Sequence, residues 1–160
     1  MGKDMALAFQ KPLGPAPAPP PEMAPEGAEP EIEIPVVFTS LRATLRALRE
    51  AAALARPMGA QVTLVVPQVV PHPLPLESPP VLLDFAEKRF FTLADQSRVP
   101  TTVRIYLCRD RDEVLKDVLR AGSMVVLGGP RGRRWWPSAE MRMTKRLRQM
   151  GHEVVFVETD

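Results

Sequence analysis

The residues best suited to chemistry lie between Ser123 and Ser138. An apolar run, Met124-Val125-Val126-Leu127, ends in Gly128-Gly129-Pro130-Arg131-Gly132 and continues as Arg133-Arg134-Trp135-Trp136-Pro137-Ser138. A short β-rich run followed by glycines, with a helical pattern starting at Ser138, places the glycines where a strand hands over to a helix. A turn of that composition can present successive backbone N–H groups, and a helix N-terminus behind it favours an anion. Arg131, Arg133 and Arg134 add planar, multidentate donors to the same loop. The chemistry implied is phosphate or nucleotide binding, and the competing account of Gly-x-x-Gly is an ordinary tight turn.

Other reactive residues are explained more simply by structure. Asp110, Asp112 and Glu113 form a carboxylate cluster, but they stand where a helix should begin, as a cap and first turn. Cys108 is the only cysteine, so no intrachain disulfide can form, and it closes an apolar alternation as a small buried side chain would. His72 lies among prolines without a second ligand in metal spacing. There is no Gly-x-Ser-x-Gly elbow, and Gly132 is followed by Arg133-Arg134 rather than by Lys-Ser/Thr, so no nucleophile and base can be assigned together, and at most weak ATP hydrolysis is expected. Trp135 and Trp136 fit packing or a partner contact better than base stacking, because they do not alternate with basic residues along a surface. Arg142, Lys145, Arg146 and Arg148 make the last helix basic. Without a nucleic-acid motif beside them, a solvated helix is preferred to nucleic-acid binding.

The elements that would position these residues can be read from periodicity. Residues 1–33 form a Pro/Ala/Glu-rich tail, expected to be disordered, in which Met5 to Phe9 is an apolar stretch able to dock locally or on a partner. Residues 34–160 form the domain. A strand at Ile34 to Phe38 leads through a cap at Thr39 or Ser40 into a helix with Leu41, Leu45, Leu48, Ala52 and Ala55 on one face. Strand Gln61 to Val66 follows, then a loop from Pro67 to Pro80 and a helix from Val81 to Ser97. Strand Thr102 to Cys108 and a helix capped by Asp110 precede the glycine-rich segment. After Ser138, Ala139, Met143, Leu147 and Met150 repeat at helical intervals, and Val154 to Val157 is the last strand. Strict alternation of strand and helix predicts an open parallel sheet with helices on both faces. No apolar run is long enough to span a membrane, and Met1 to Pro20 lacks a secretory pattern, so a cytoplasmic location is expected.

This order of elements, with Gly129-Pro130-Arg131-Gly132 after the apolar strand and Ser138 beyond it, resembles the universal stress protein family over about four-fifths of the chain. The resemblance implies a five-stranded parallel sheet of order 3-2-1-4-5 and a homodimer formed through the last strand, here Val154 to Val157. It also implies ATP, or another adenine nucleotide, held by Gly-x-x-Gly, about nine residues, and Gly-Ser or Gly-Thr. On that pattern Gly129, Arg131, Gly132, Arg133 and Ser138 would face phosphate, and Thr39 and Ser40 the adenosine side. This chain departs from it: only Arg133 to Pro137 separate Gly132 from Ser138, Pro137 replaces the second glycine and lacks an N–H, and Thr39 or Ser40 stands for the usual acid. The expectation is a regulatory or interaction module degenerate for ordinary ATP binding, acting through self-association or a protein partner. A nucleotide-binding stress-response protein is the alternative.

Overall fold

The computed structural model describes residues 5–13, 32–72, 74–76 and 80–160. In chain order the elements are β1 (Met5–Leu13), β2 (Glu33–Val37), α1 (Leu41–Met58), β3 (Gln61–Val69), α2 (Pro80–Ser97), β4 (Thr101–Cys108), α3 (Arg111–Val118), β5 (Met124–Gly129), β6 (Gly132–Arg133), β7 (Trp136–Pro137), α4 (Ala139–Gln149) and β8 (Glu153–Glu158). Among the described residues one sheet has six strands in the order β1-β4-β3-β2-β5-β8, and β6 and β7 form a separate two-stranded ribbon.

The expected five-stranded, purely parallel sheet of order 3-2-1-4-5 is therefore corrected to a six-stranded mixed sheet. The difference comes from β1, which lies antiparallel against β4 with Met5 opposite Cys108 and Leu13 opposite Thr101. An edge strand leaves a row of unpaired N–H and C=O groups, and the apolar stretch in the supposed tail supplies partners for those of β4. Met5–Leu13 thus belongs to the sheet. The Pro-rich run and most of the tail's glutamates lie outside the described residues.

Strand β3 also continues past the expected end at Val66, pairing through Val69 opposite Cys108. Pro67 is accommodated because its missing N–H lies on the side of β2. Pairing with β2 ends at Val37 opposite Val65, closed by Phe38 N–H donating to Val65 O at 3.0 Å.

The sheet carries a core on each face. On one side α1 and α2 cover Ile34, Val36, Leu64, Val66, Val103 and Ile105 with Ala47, Leu48, Ala51, Phe90 and Leu93. On the other side α3 and α4 cover Val37, Val65, Val125 and Leu127 with Leu115, Met143 and Leu147. The buried stripe of α1 keeps Leu48 and Ala55 from the stripe read from the sequence but is otherwise shifted toward alanines. Ala43, Ala47, Ala51 and Ala55 lie inward at four-residue spacing, whereas Leu41 is exposed and Leu45 half-buried. Small side chains let the helix backbone approach the sheet closely. The closest approach is at Gly128, where an added Cβ would lie 2.3 Å from the carbonyl oxygen of Ala43.

This topology positions the candidate site. Strand β2 has β3 on one side and β5 on the other, and the helices that follow β2 and β5 lie on opposite faces, so the chain reverses its winding between them. The carboxyl ends of β2 and β5, Phe38-Thr39-Ser40 and Gly128-Gly129, meet at this switch point, where open α/β sheets place their ligands.

Candidate functional site at the carboxyl ends of the central strands

Apart from Arg133, each polar side chain of the predicted site already has a structural partner. The Thr39 hydroxyl donates to Gly128 O at 2.7 Å, and Thr39 N–H donates to the Thr44 hydroxyl at 3.1 Å. Ser40 is the N-cap of α1, its hydroxyl accepting from Ala43 N–H at 3.3 Å. Ser138 is the N-cap of α4, accepting from Met141 N–H at 3.1 Å. The two side chains expected to face a ligand from opposite sides thus satisfy the free N–H groups of their own helices.

The loop between Gly129 and Ser138 folds as a hairpin rather than as an open cradle. Gly132 pairs with Pro137 and Arg133 with Trp136, with Arg134 and Trp135 at the turn. Gly132 has φ +80°, and a Cβ there would lie 2.5 Å from Ser138 N, so this position requires glycine. Ser138 N–H donates to Arg131 O at 3.3 Å, which closes the base of the hairpin. Gly129 O accepts from Thr159 N–H at 3.0 Å.

The side-chain charges are arranged to match. Arg131 pairs with Glu158 at 3.4 Å, both groups being exposed, so the pair adds little to stability. Arg134 lies 5.9 Å above the ring of Trp135. Arg133 is exposed and has no ion pair among the described residues. Glu140 lies over Gly129, where an added Cβ would be 2.5 Å from its Cγ, and it places a negative charge in the first turn of α4. That turn would otherwise attract an anion.

Thr39 and Ser40 are thus brought beside Gly128 and Gly129, while Arg133 is carried outward along the hairpin. Sequence reasoning missed Glu140 and Glu158. The pattern Ser138-x-Glu140 contained the signal for the first, as an acid in the first turn of a capped helix, but nothing local marks the second.

The remaining reactive groups have structural roles as well. The Asp110 carboxylate caps α3, accepting from Asp112 N–H at 2.7 Å and Glu113 N–H at 3.2 Å, and Asp112 pairs with Arg146. Burial raises the Cys108 thiol above its ordinary value of 9.0, nearby Arg111 opposing and Asp110 adding slightly, which keeps it protonated at neutral pH. His72 is exposed in a turn. No group of side chains able to hold a metal occurs among the described residues, and no described helix is long and apolar enough to cross a membrane.

No protein-family model and no curated protein sequence matches the chain. Among solved structures it is similar to the crystal structure of a protein from the universal stress protein family from Burkholderia pseudomallei, at 18% identity and a TM-score of 0.51, over 79% of this chain and 96% of that one. The likeness establishes a universal-stress-protein-like fold.

Proposed function

We propose that this protein is a universal-stress-protein-like regulatory or interaction module that acts through its surfaces, without ordinary ATP binding or catalysis. The observation that carries this reading is the closed state of the loop after β5. The Ser138 hydroxyl caps α4, Thr39 and Ser40 are bonded within the fold, Arg131 pairs with Glu158, and Glu140 covers Gly129 with a negative charge. A triphosphate would have to displace a carboxylate and open a hairpin before meeting its donors.

Self-association through β8 belongs to the same reading. Its outer edge has no strand partner among the described residues, and Val155, Phe156 and Val157 are only half-buried. Such an edge is a template for pairing with a second copy. The second reading, an adenine-nucleotide-binding protein using Gly129 to Ser138, is favoured by Arg133, a free guanidinium on that loop.

Isothermal titration of nucleotide-stripped protein with ATP separates the two. The module reading expects no saturable heat. Saturable micromolar binding that Arg131→Ala and Ser138→Ala both weaken, in protein that remains folded, overturns it.

A further inference from the structure

The hairpin that closes the phosphate loop also creates a surface. Trp135 and Trp136 are 83% and 78% exposed at its outer end, beside the exposed Arg133 and Arg134. Pro137, Met141, Arg142, Lys145, Arg148 and Gln149 line a cavity of about 500 Å³. From Arg131 to Arg148 there are seven basic residues and one acid, Glu140, which is turned onto Gly129. Arg131 and Arg146 have carboxylate partners, whereas Arg133, Arg134, Arg142 and Lys145 have none among the described residues. Two exposed indoles at and beside the hairpin turn, next to cations without carboxylate partners among the described residues, combine an apolar element with anion-seeking groups.

We infer that this face docks on an anionic phospholipid surface, with Trp135 and Trp136 entering the headgroup layer and the arginines and Lys145 meeting phosphates. Indole rings favour that layer because it receives an apolar body while leaving the N–H hydrated, and basic side chains gain from the negative surface potential. A second copy of this chain does not fit. A two-fold contact brings the same surface together with itself, and here that would oppose like charges. A single-stranded nucleic acid fits less well, since stacking on successive bases calls for aromatics spaced along a basic track, whereas both rings lie at one tip. A bilayer headgroup layer receives exposed indoles without a shaped pocket, which an acidic protein would have to supply.

Trp135 and Trp136 are the only tryptophans in the chain, so intrinsic fluorescence reads this hairpin alone. Full-length protein is mixed with vesicles of phosphatidylglycerol and phosphatidylcholine, or of phosphatidylcholine alone, and followed by tryptophan emission and co-sedimentation. The expected result is a blue shift and co-sedimentation with the anionic vesicles, both reduced by added salt. Arg133→Gln and Arg134→Gln should each weaken binding about fivefold, the change that follows from roughly 1 kcal/mol per basic residue near such a surface. Trp135→Ser with Trp136→Ser should abolish co-sedimentation while leaving the circular dichroism spectrum unchanged. An unshifted spectrum with anionic vesicles overturns the inference, as does vesicle binding that survives loss of both tryptophans. A shift produced instead by poly-glutamate or by a single-stranded oligonucleotide also overturns it, reassigning the face to an acidic protein or to nucleic acid.

Discussion

Substituting Gly128 by alanine tests how closely α1 lies on the sheet. The new Cβ would stand 2.3 Å from Ala43 O, 2.9 Å from Ala43 C and 3.3 Å from Ala43 Cβ, all within the helix's first turn. Ordinary contact begins near 3.4 Å, so the helix would have to retreat by about 1 Å, and close-packed interiors resist that. Overpacking of this kind costs about 1–3 kcal/mol. The retreat would also disturb the 2.7 Å bond from Thr39 to Gly128 O, which adds about 1 kcal/mol. For a chain of this length the sum of ~2–4 kcal/mol lowers Tm by about 6–12 °C. Gly129→Ala is the control. Its Cβ would meet the Cγ and Cβ of Glu140 at 2.5 and 2.8 Å, and a side chain that can turn aside limits the loss to about 1–2 kcal/mol. Thermal melts of both variants, with and without Glu140→Ala, form two double-mutant cycles. Truncating Glu140 should recover part of the Gly129→Ala loss and none of the Gly128→Ala loss. The reasoning is refuted if Gly128→Ala melts within about 3 °C of wild type, roughly 1 kcal/mol, or if Glu140→Ala rescues it.

Three further outcomes follow from the same geometry. Ser138→Ala should cost about 1 kcal/mol in urea unfolding and Ser138→Gly only a few tenths, the pattern of a lost helix cap, and equal costs would contradict that role. Burial raises Tyr106 above 10.0, with Arg104 opposing and Glu33 adding, and likewise raises Cys108 above 9.0. Both bind protons more tightly in the folded state, so their contribution is full below the unfolded values and is lost as pH rises through the folded ones. Denaturant midpoints should fall above about pH 9, and a midpoint rising there would contradict the burial of these groups. Light scattering should give two chains per particle for the wild type and one for Val155→Lys at unchanged far-UV dichroism, whereas a wild-type monomer removes the β8 contact.

Most of the parallel framework was legible because its signals are local. Val36-Val37, Val62 to Val66 and Val125 to Leu127 are β-rich runs bounded by caps and glycines, and Ser40 and Asp110 occupy their helix caps as residue type suggested. Strand β1 escaped because its partner, Thr101 to Cys108, lies far along the sequence and a Pro-rich run stands next to it. On α1, Leu48 and Ala55 were read correctly as inward, but Ala43, Ala47 and Ala51 were passed over because hydrophobicity favours leucine over alanine, whereas the bare backbone of Gly128 rewards small residues. At the candidate site the residue types were legible and their use was not. The β6–β7 hairpin lacks the Asn-Gly or Asp-Gly turn that marks such ribbons, and Glu158 reaches Arg131 only after β8 has joined β5.

The mixed sheet also limits how far this chain can polymerise. Its outer strands are β1 and β8. Strand β1 contains a bulge between Leu7 and Phe9, the exposed Lys11 and, at Pro12, a residue without an N–H, all of which frustrate the addition of another strand. Strand β8 runs Glu153-Val154-Val155-Phe156-Val157-Glu158 without bulge or proline. A molecule with two receptive edges can grow without end into a fibre, whereas one with a single receptive edge is consumed on its first encounter with another like it. If β8 pairs with a second copy as proposed, the asymmetry of the two edges sets a ceiling of two on growth by strand addition. In that assembly the N-terminal strand would act as a chain terminator.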